Sequence, residues 1–156
     1  MLEDPRITAM GLFVEAFTGV NARLNVQLAE HGLGNVDFEV LVRLSRSPGG
    51  ELRMTDLAAQ TGLSTSGVTR VVDRLERDGL ATRRACPTDR RGSFTVVTPA
   101  GVAKMREVLP DHLALIEEWF TGRLSPQELE ALLSSLRTIR DAVRPGATSG
   151  IAAAAR

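Results

Sequence analysis

The sequence predicts a mainly α fold with a small β component (α+β in detail), and three observations carry that reading. Apolar residues recur every three or four positions near both ends of the 156-residue chain, the spacing of one face of an α-helix. Two short helical stretches joined by a glycine turn stand in the middle. A basic run of alternating apolar and polar residues follows directly, as a β-hairpin would. Residues 36–98 thus read as a winged helix-turn-helix lobe. Long helices at about 6–30 and 99–143 flank it, within a single domain of residues 1–144.

Ile7, Met10, Phe13, Phe17, Val20, Leu24 and Leu28 mark the first long helix. The run His31 to Gly34 ends it, glycine supplying the left-handed residue favoured after a helix. Asp37 is placed to cap a second helix bearing Phe38, Leu41 and Leu44, which Pro48-Gly49-Gly50 terminates. A third helix begins near Thr55. After the turn Thr61-Gly62-Leu63, Ser64 is a suitable N-cap for a fourth helix that stops at Gly79. The stretches ATRRAC and SFTVVT, around PTDRRG, form the hairpin. Thr98-Pro99 opens a fifth helix through Val102, Met105, Leu109, Leu113, Ile116 and Phe120, with Pro110 expected to bend or break it. Ser125 to Glu128 is a capping box for a sixth helix, from Leu129 to Val143. Residues 145–156 are expected to be a mobile tail with little to pack against.

Composition narrows the class. A hydrophobic content of 43% supports a core, and only 4% aromatic residues make it an aliphatic one. The formal net charge of zero hides a gradient. Residues 1–52 carry four arginines against seven acids, whereas 53–97 carry eight arginines against five. Charge near the phosphates, not net charge, governs nucleic-acid binding. The single cysteine, Cys86, excludes an intrachain disulfide framework. The acidic start and the lack of a long apolar run point to a cytoplasmic protein without a membrane partner. Neither a Ser-His-Asp set, paired catalytic carboxylates nor a glycine-rich phosphate loop stands out, so no enzyme is expected. His31 and His112 lie far apart and have no partner histidine at helical spacing. No metal or cofactor is expected.

The middle segment carries the function. In a compact helix-turn-helix, a small residue lets the two helices approach (Ala58), a glycine takes the positive φ of the turn (Gly62), and a branched apolar residue packs the second helix down (Val68). The exposed face of that second helix then presents Ser64, Thr65, Ser66, Thr69, Arg70 and Arg74. Short hydroxyls let a helix sit deep in the major groove, and an arginine can bind guanine in a bidentate way. Beyond it, Arg83, Arg84, Arg90 and Arg91 cluster on one hairpin, with Asp89 placed to orient a guanidinium for a narrow minor groove.

These residues resemble the MarR (multiple antibiotic resistance regulator) family of winged-helix transcription regulators over about residues 6–143. The specific parts are LSTSGVTRVVDRLERDGLATR and PTDRRGSFTVVTPAG; the latter matches the family's aspartate–any–arginine wing signature at Asp89 and Arg91. The resemblance implies a homodimer held by the first, fifth and sixth helices. It also implies double-stranded DNA with a pseudo-palindromic operator as the partner, usually for repression. Thr69 and Arg70 fall on the positions that enter the major groove, and Arg91 on the wing tip. Apolar stripes on the terminal helices, more than the lobe could bury, support the same dimer. The family further implies release by a small aromatic or anionic effector, for which Phe13, Phe17, His31, Phe38 and His112 are the candidate lining residues. An alternative role is a winged-helix protein-interaction module that does not bind DNA.

Overall fold

A computed structural model describes residues 4–86 and 89–150, with backbone alone for 89–91. Helix α1 (Pro5–Glu30) starts at Asp4, whose carboxylate accepts the Arg6 N–H at 2.9 Å, with proline at the first position. It ends where Gly32 adopts φ 72°. Helix α2 (Asn35–Arg46) follows. Here the expectation for Asp37 is corrected. Gly34 holds the N-cap without a side-chain bond, and Asp37 lies buried in the first turn. Its carboxylate is claimed by an arginine of another helix and so does not cap its own.

Five further elements build the lobe. Strand β1 (Glu51–Arg53) leads into α3 (Met54–Thr61), and Gly62 makes the turn at φ 70°. Helix α4 (Thr65–Arg77) is capped by Ser64, which accepts the Gly67 N–H at 3.1 Å. Strands β2 (Ala81–Cys86) and β3 (Asp89–Val97) form the expected hairpin. Pro87 and Thr88, at its predicted turn, lie outside the described residues. The sheet order is β1-β3-β2, all antiparallel. Strand β1 is an addition to the sequence reading; three residues are too few to show a period of two, and its pairing with β3 is a long-range contact.

Helix α5 (Pro99–Trp119) leaves the sheet without slack. Thr98 caps it by accepting the Gly101 N–H at 3.0 Å, while the Thr98 hydroxyl donates to the Gly79 carbonyl at 2.6 Å. A Cβ on Gly101 would sit 2.1 Å from the Leu80 carbonyl oxygen, so no side chain fits there. Of the bend or break expected at Pro110, the break does not occur: α5 continues across it as one helix. Proline removes one backbone donor, and packing of α1 along α5 supports the helix across that gap. Helix α6 (Pro126–Val143) begins with the anticipated capping box between Ser125 and Glu128.

The core lies where α2, α3, α4 and the first half of α5 meet, around Leu41, Leu44, Leu57, Val68, Val72, Leu75 and Val108. The outer helices are covered far less. Ile7, Met10, Phe13 and Phe17 on α1 are all more than half exposed, and α6 has no buried residue. No helix among the described residues is long and apolar enough to cross a membrane.

The tail prediction is corrected in part. Pro145–Thr148 forms a 3-10 turn that lies against α3, with Ala147 buried. What holds it is hydrogen bonding to the lobe, not an apolar stripe, and periodicity gives no sign of such bonds. Residues 151–156 lie outside the described residues.

Candidate nucleic-acid interface

The recognition face is built from the first turns of α4. Ser64, Thr65, Ser66 and Arg70 are exposed and Thr69 is half-buried. Val68, Val71, Val72 and Leu75 occupy the opposite side and fix the helix to the lobe. The hydroxyls are already ordered: Ser64 lies 3.2 Å from Ser66, and Thr69 donates to the Thr65 carbonyl at 2.8 Å. The Arg70 Nε donates to the Ser66 carbonyl at 3.2 Å, folding the guanidinium along the helix surface. Its remaining N–H groups keep the fork geometry that reads a guanine edge. The helix N-terminus adds outward N–H groups and a positive dipole end.

Arg74, placed on this face by the sequence, is paired within the lobe. It donates to Asp37 in a two-pronged ion pair, and that pairing raises its pKa above the usual arginine value. The residue therefore braces α4 against α2. Two of the ribbon arginines are engaged in the same way. Arg83 pairs with both Glu76 and Asp73 of α4 and donates to the Thr69 carbonyl at 3.3 Å. Arg84 donates to Glu51 of β1 at 2.7 Å and lies 4.8 Å over the Phe94 ring. These bonds lock the base of the wing to the recognition helix and to β1. Asp89, Arg90 and Arg91 lie on β3, with their side chains outside the described residues.

The five effector candidates are not brought together within one chain. Phe38 and His112 are buried core partners, with ring centroids 4.3 Å apart. The His112 Nδ1 lies 2.9 Å from the Gln27 Oε1, and burial pushes the His112 pKa below its ordinary value. His31 bonds Glu107 at 3.1 Å; that bond, then Lys104, holds the Glu107 carboxyl below the usual range. Phe13 and Phe17 face outward from α1. Two shallow concavities lie elsewhere, one along α1 at Ile7, Met10 and Val14, the other between Arg23 and Trp119. Neither is lined by any of the five. Cys86 is buried at the end of β2.

Sequence reasoning missed Asp37 as the Arg74 partner and Gln60 as a buried polar anchor, almost fully enclosed at the end of α3. An acid or amide inside an apolar stripe was the available signal.

Comparison with known proteins bears on the same arrangement. A family model described as MarR family matches residues 31–92. The HTH-type transcriptional regulator MhqR of Bacillus subtilis (strain 168) is 32% identical over 124 residues, covering 80% of this chain and 83% of that protein. The chain belongs to the MarR family. Members of the MarR family are transcription regulators, not enzymes. Two solved MarR-family regulators from Streptomyces coelicolor extend the likeness to nearly the whole fold. AbsC superposes with a TM-score of 0.86 at 35% identity, over 93% of this chain and 98% of its own. Sco3205, solved in complex with DNA, gives 0.86 at 30% identity, over 93% and 91%.

Proposed function

We propose that this MarR-family regulator acts as a homodimer that binds a pseudo-palindromic duplex through paired copies of α4 and the wing, and so represses transcription. The observation that carries this reading is the division of labour among the arginines. Arg74, Arg83 and Arg84 are spent on internal ion pairs that stiffen the lobe, while Arg70 stands exposed beside Ser64, Thr65 and Ser66. A helix so braced presents a preorganised reading surface, which lowers the ordering cost of binding. That Sco3205 was solved with DNA supports the same mode for this chain. The bare apolar residues of α1 and α6 support a second copy as their cover, since exposed apolar stripes of this kind are what an interface buries. In the dimer, the two recognition helices address half-sites about one helical turn apart.

Release by a small aromatic or anionic effector requires a cavity completed by the second chain, because Phe13 and Phe17 face away from Phe38 and His112 within one protomer.

Fluorescence anisotropy on labelled DNA from upstream of its own coding region tests the proposal. The expected result is saturable binding that weakens linearly on a log–log salt plot, with a shallower slope for Arg91→Ala. Absence of salt-dependent binding favours the alternative, a winged-helix module for protein partners.

A further inference from the structure

The segment Arg144–Gly150 is bonded to the lobe at four places, three on α3 and one on α2. The Arg144 Nη2 donates to the Gln60 carbonyl at 2.9 Å, and the Arg43 Nη1 of α2 donates to the Ala147 carbonyl at 3.1 Å. The Gln60 Nε2 donates to the Ser149 carbonyl, and the Ser149 hydroxyl donates to Asp56 at 2.8 Å. Backbone meets backbone as well: a Cβ on Gly146 would lie 3.2 Å from the Ala59 carbonyl oxygen. Gly62 serves this segment besides making the turn, because a Cβ there would come within 2.7 Å of the Arg144 guanidinium.

Gln60 is the centre of the arrangement. It is 1% exposed, and its amide is used at both ends, the oxygen accepting from Arg43 and the nitrogen donating to Ser149. One buried side chain therefore ties α2, α3 and the segment after α6. Helix α6 buries no residue of its own. The segment's bonds to α2 and α3 are thus what anchors the C-terminal end of that helix to the lobe.

We infer that Arg144–Gly150 is a positioning strap, anchored on Gln60, that fixes the angle between α6 and the helix-turn-helix and thereby sets the separation of the two recognition helices on DNA. The inference rests on the proposed DNA-binding role. With the strap closed, the lobe is tied both to α5, through the Thr98 joint and the shared core, and to α6, through the Gln60 anchor. With it open, the lobe still moves with α5, but α6 is free to swing against it. A lobe loose against α6 binds more weakly, since freedom must be lost on docking, and it discriminates less between half-site spacings. A tail that merely adds stability changes neither the spacing preference nor the order of α3 in the folded state.

The test uses two full-length variants. Gln60→Glu keeps an acceptor for Arg43 and sets a carboxylate oxygen against the Ser149 carbonyl. Ala147→Asp forces a charge into the buried contact without touching α3. The probes are duplexes selected by the wild-type protein from a randomised pool, then remade with base pairs inserted or removed between the half-sites. Sedimentation velocity reports the dimer, and native-state hydrogen exchange reports the amides of Ala58 to Thr61. Expected are an unchanged dimer, faster exchange in α3, an affinity loss of about tenfold on the selected duplex, and a flattened spacing profile. Wild-type exchange at α3 overturns the strap, as does wild-type affinity, or an equal loss at every spacing. If the wild type selects no duplex, the DNA-binding role fails, and the exchange result alone decides whether the strap holds α3. Should Ala147→Asp not fold, Gln60→Glu and Ser149→Ala carry the same readouts.

Discussion

The Arg74 guanidinium grips the Asp37 carboxylate with both of its available edges, Nε at 2.9 and 3.0 Å from the two oxygens and Nη2 at 2.5 Å from one of them. This pair joins the recognition helix to α2 across 37 positions of sequence. The two members are unequally placed: the Asp37 side chain is 9% exposed and that of Arg74 41%. Removing either therefore has a different cost.

Arg74→Ala leaves a carboxylate enclosed without its partner, whereas Asp37→Ala frees a guanidinium that can turn into water. Urea denaturation should show Arg74→Ala as the worse variant, at about 2–4 kcal/mol against about 1–2 for Asp37→Ala. Equal losses, or a larger loss for Asp37→Ala, contradict the bracing role.

Arg70→Ala removes the exposed fork on α4 and touches nothing in the core. Thermal stability should stay within about 0.5 kcal/mol of wild type. Affinity for the preferred duplex should fall by about 1–3 kcal/mol, with relaxed discrimination at one base position. A uniform loss on every sequence would reassign the residue to a phosphate.

Phe17→Glu tests the dimer. Phe17 is 60% exposed, and neighbouring Phe13 is 52% exposed. Covering such a ring with a second chain is worth about 1.5–3 kcal/mol, and a charge there costs more than that gain. Sedimentation equilibrium should shift toward monomer while the circular dichroism of the lobe persists. A variant that remains dimeric at micromolar concentration places the interface elsewhere.

Acid should weaken the fold through His112. Burial lowers its folded-state pKa, so it stays neutral in the native chain while the unfolded chain takes up a proton below about 6.5. The unfolded state then binds more protons, and stability falls as pH drops from that value through the depressed native pKa. Above it the residue contributes no pH dependence. The urea midpoint of wild type should decline between about pH 7 and 5 more steeply than that of His112→Gln. Parallel declines would assign the effect to other groups.

The helices and the hairpin were legible in the sequence because each is a local pattern: three-four spacing in α1 and α6, a serine cap before α4, alternation in β2 and β3. The capping box at Ser125 was legible for the same reason. What escaped depended on partners far along the chain. Asp37 has the composition of a cap, yet an arginine on another helix takes its carboxylate. Strand β1 exists because β3 offers it a ladder. Residues after Pro145 contain no large apolar side chain up to Gly150, and they are seated by bonds from Arg43, Arg144 and Gln60. The same limit explains the candidate site. The exposed face of α4 follows from its apolar back, whereas the assignment of Arg74, Arg83 and Arg84 to internal pairs does not.

At Gly101 the helix α5 meets the Leu80 carbonyl so closely that a methyl group is excluded. Such a seam allows α5 and the lobe to turn only as one rigid lever. Over 21 residues that lever is about 31 Å long, so a tilt of about five degrees displaces its far end by nearly 3 Å. A small rearrangement near Trp119, remote from any duplex, would be magnified at the groove before a single base contact had changed.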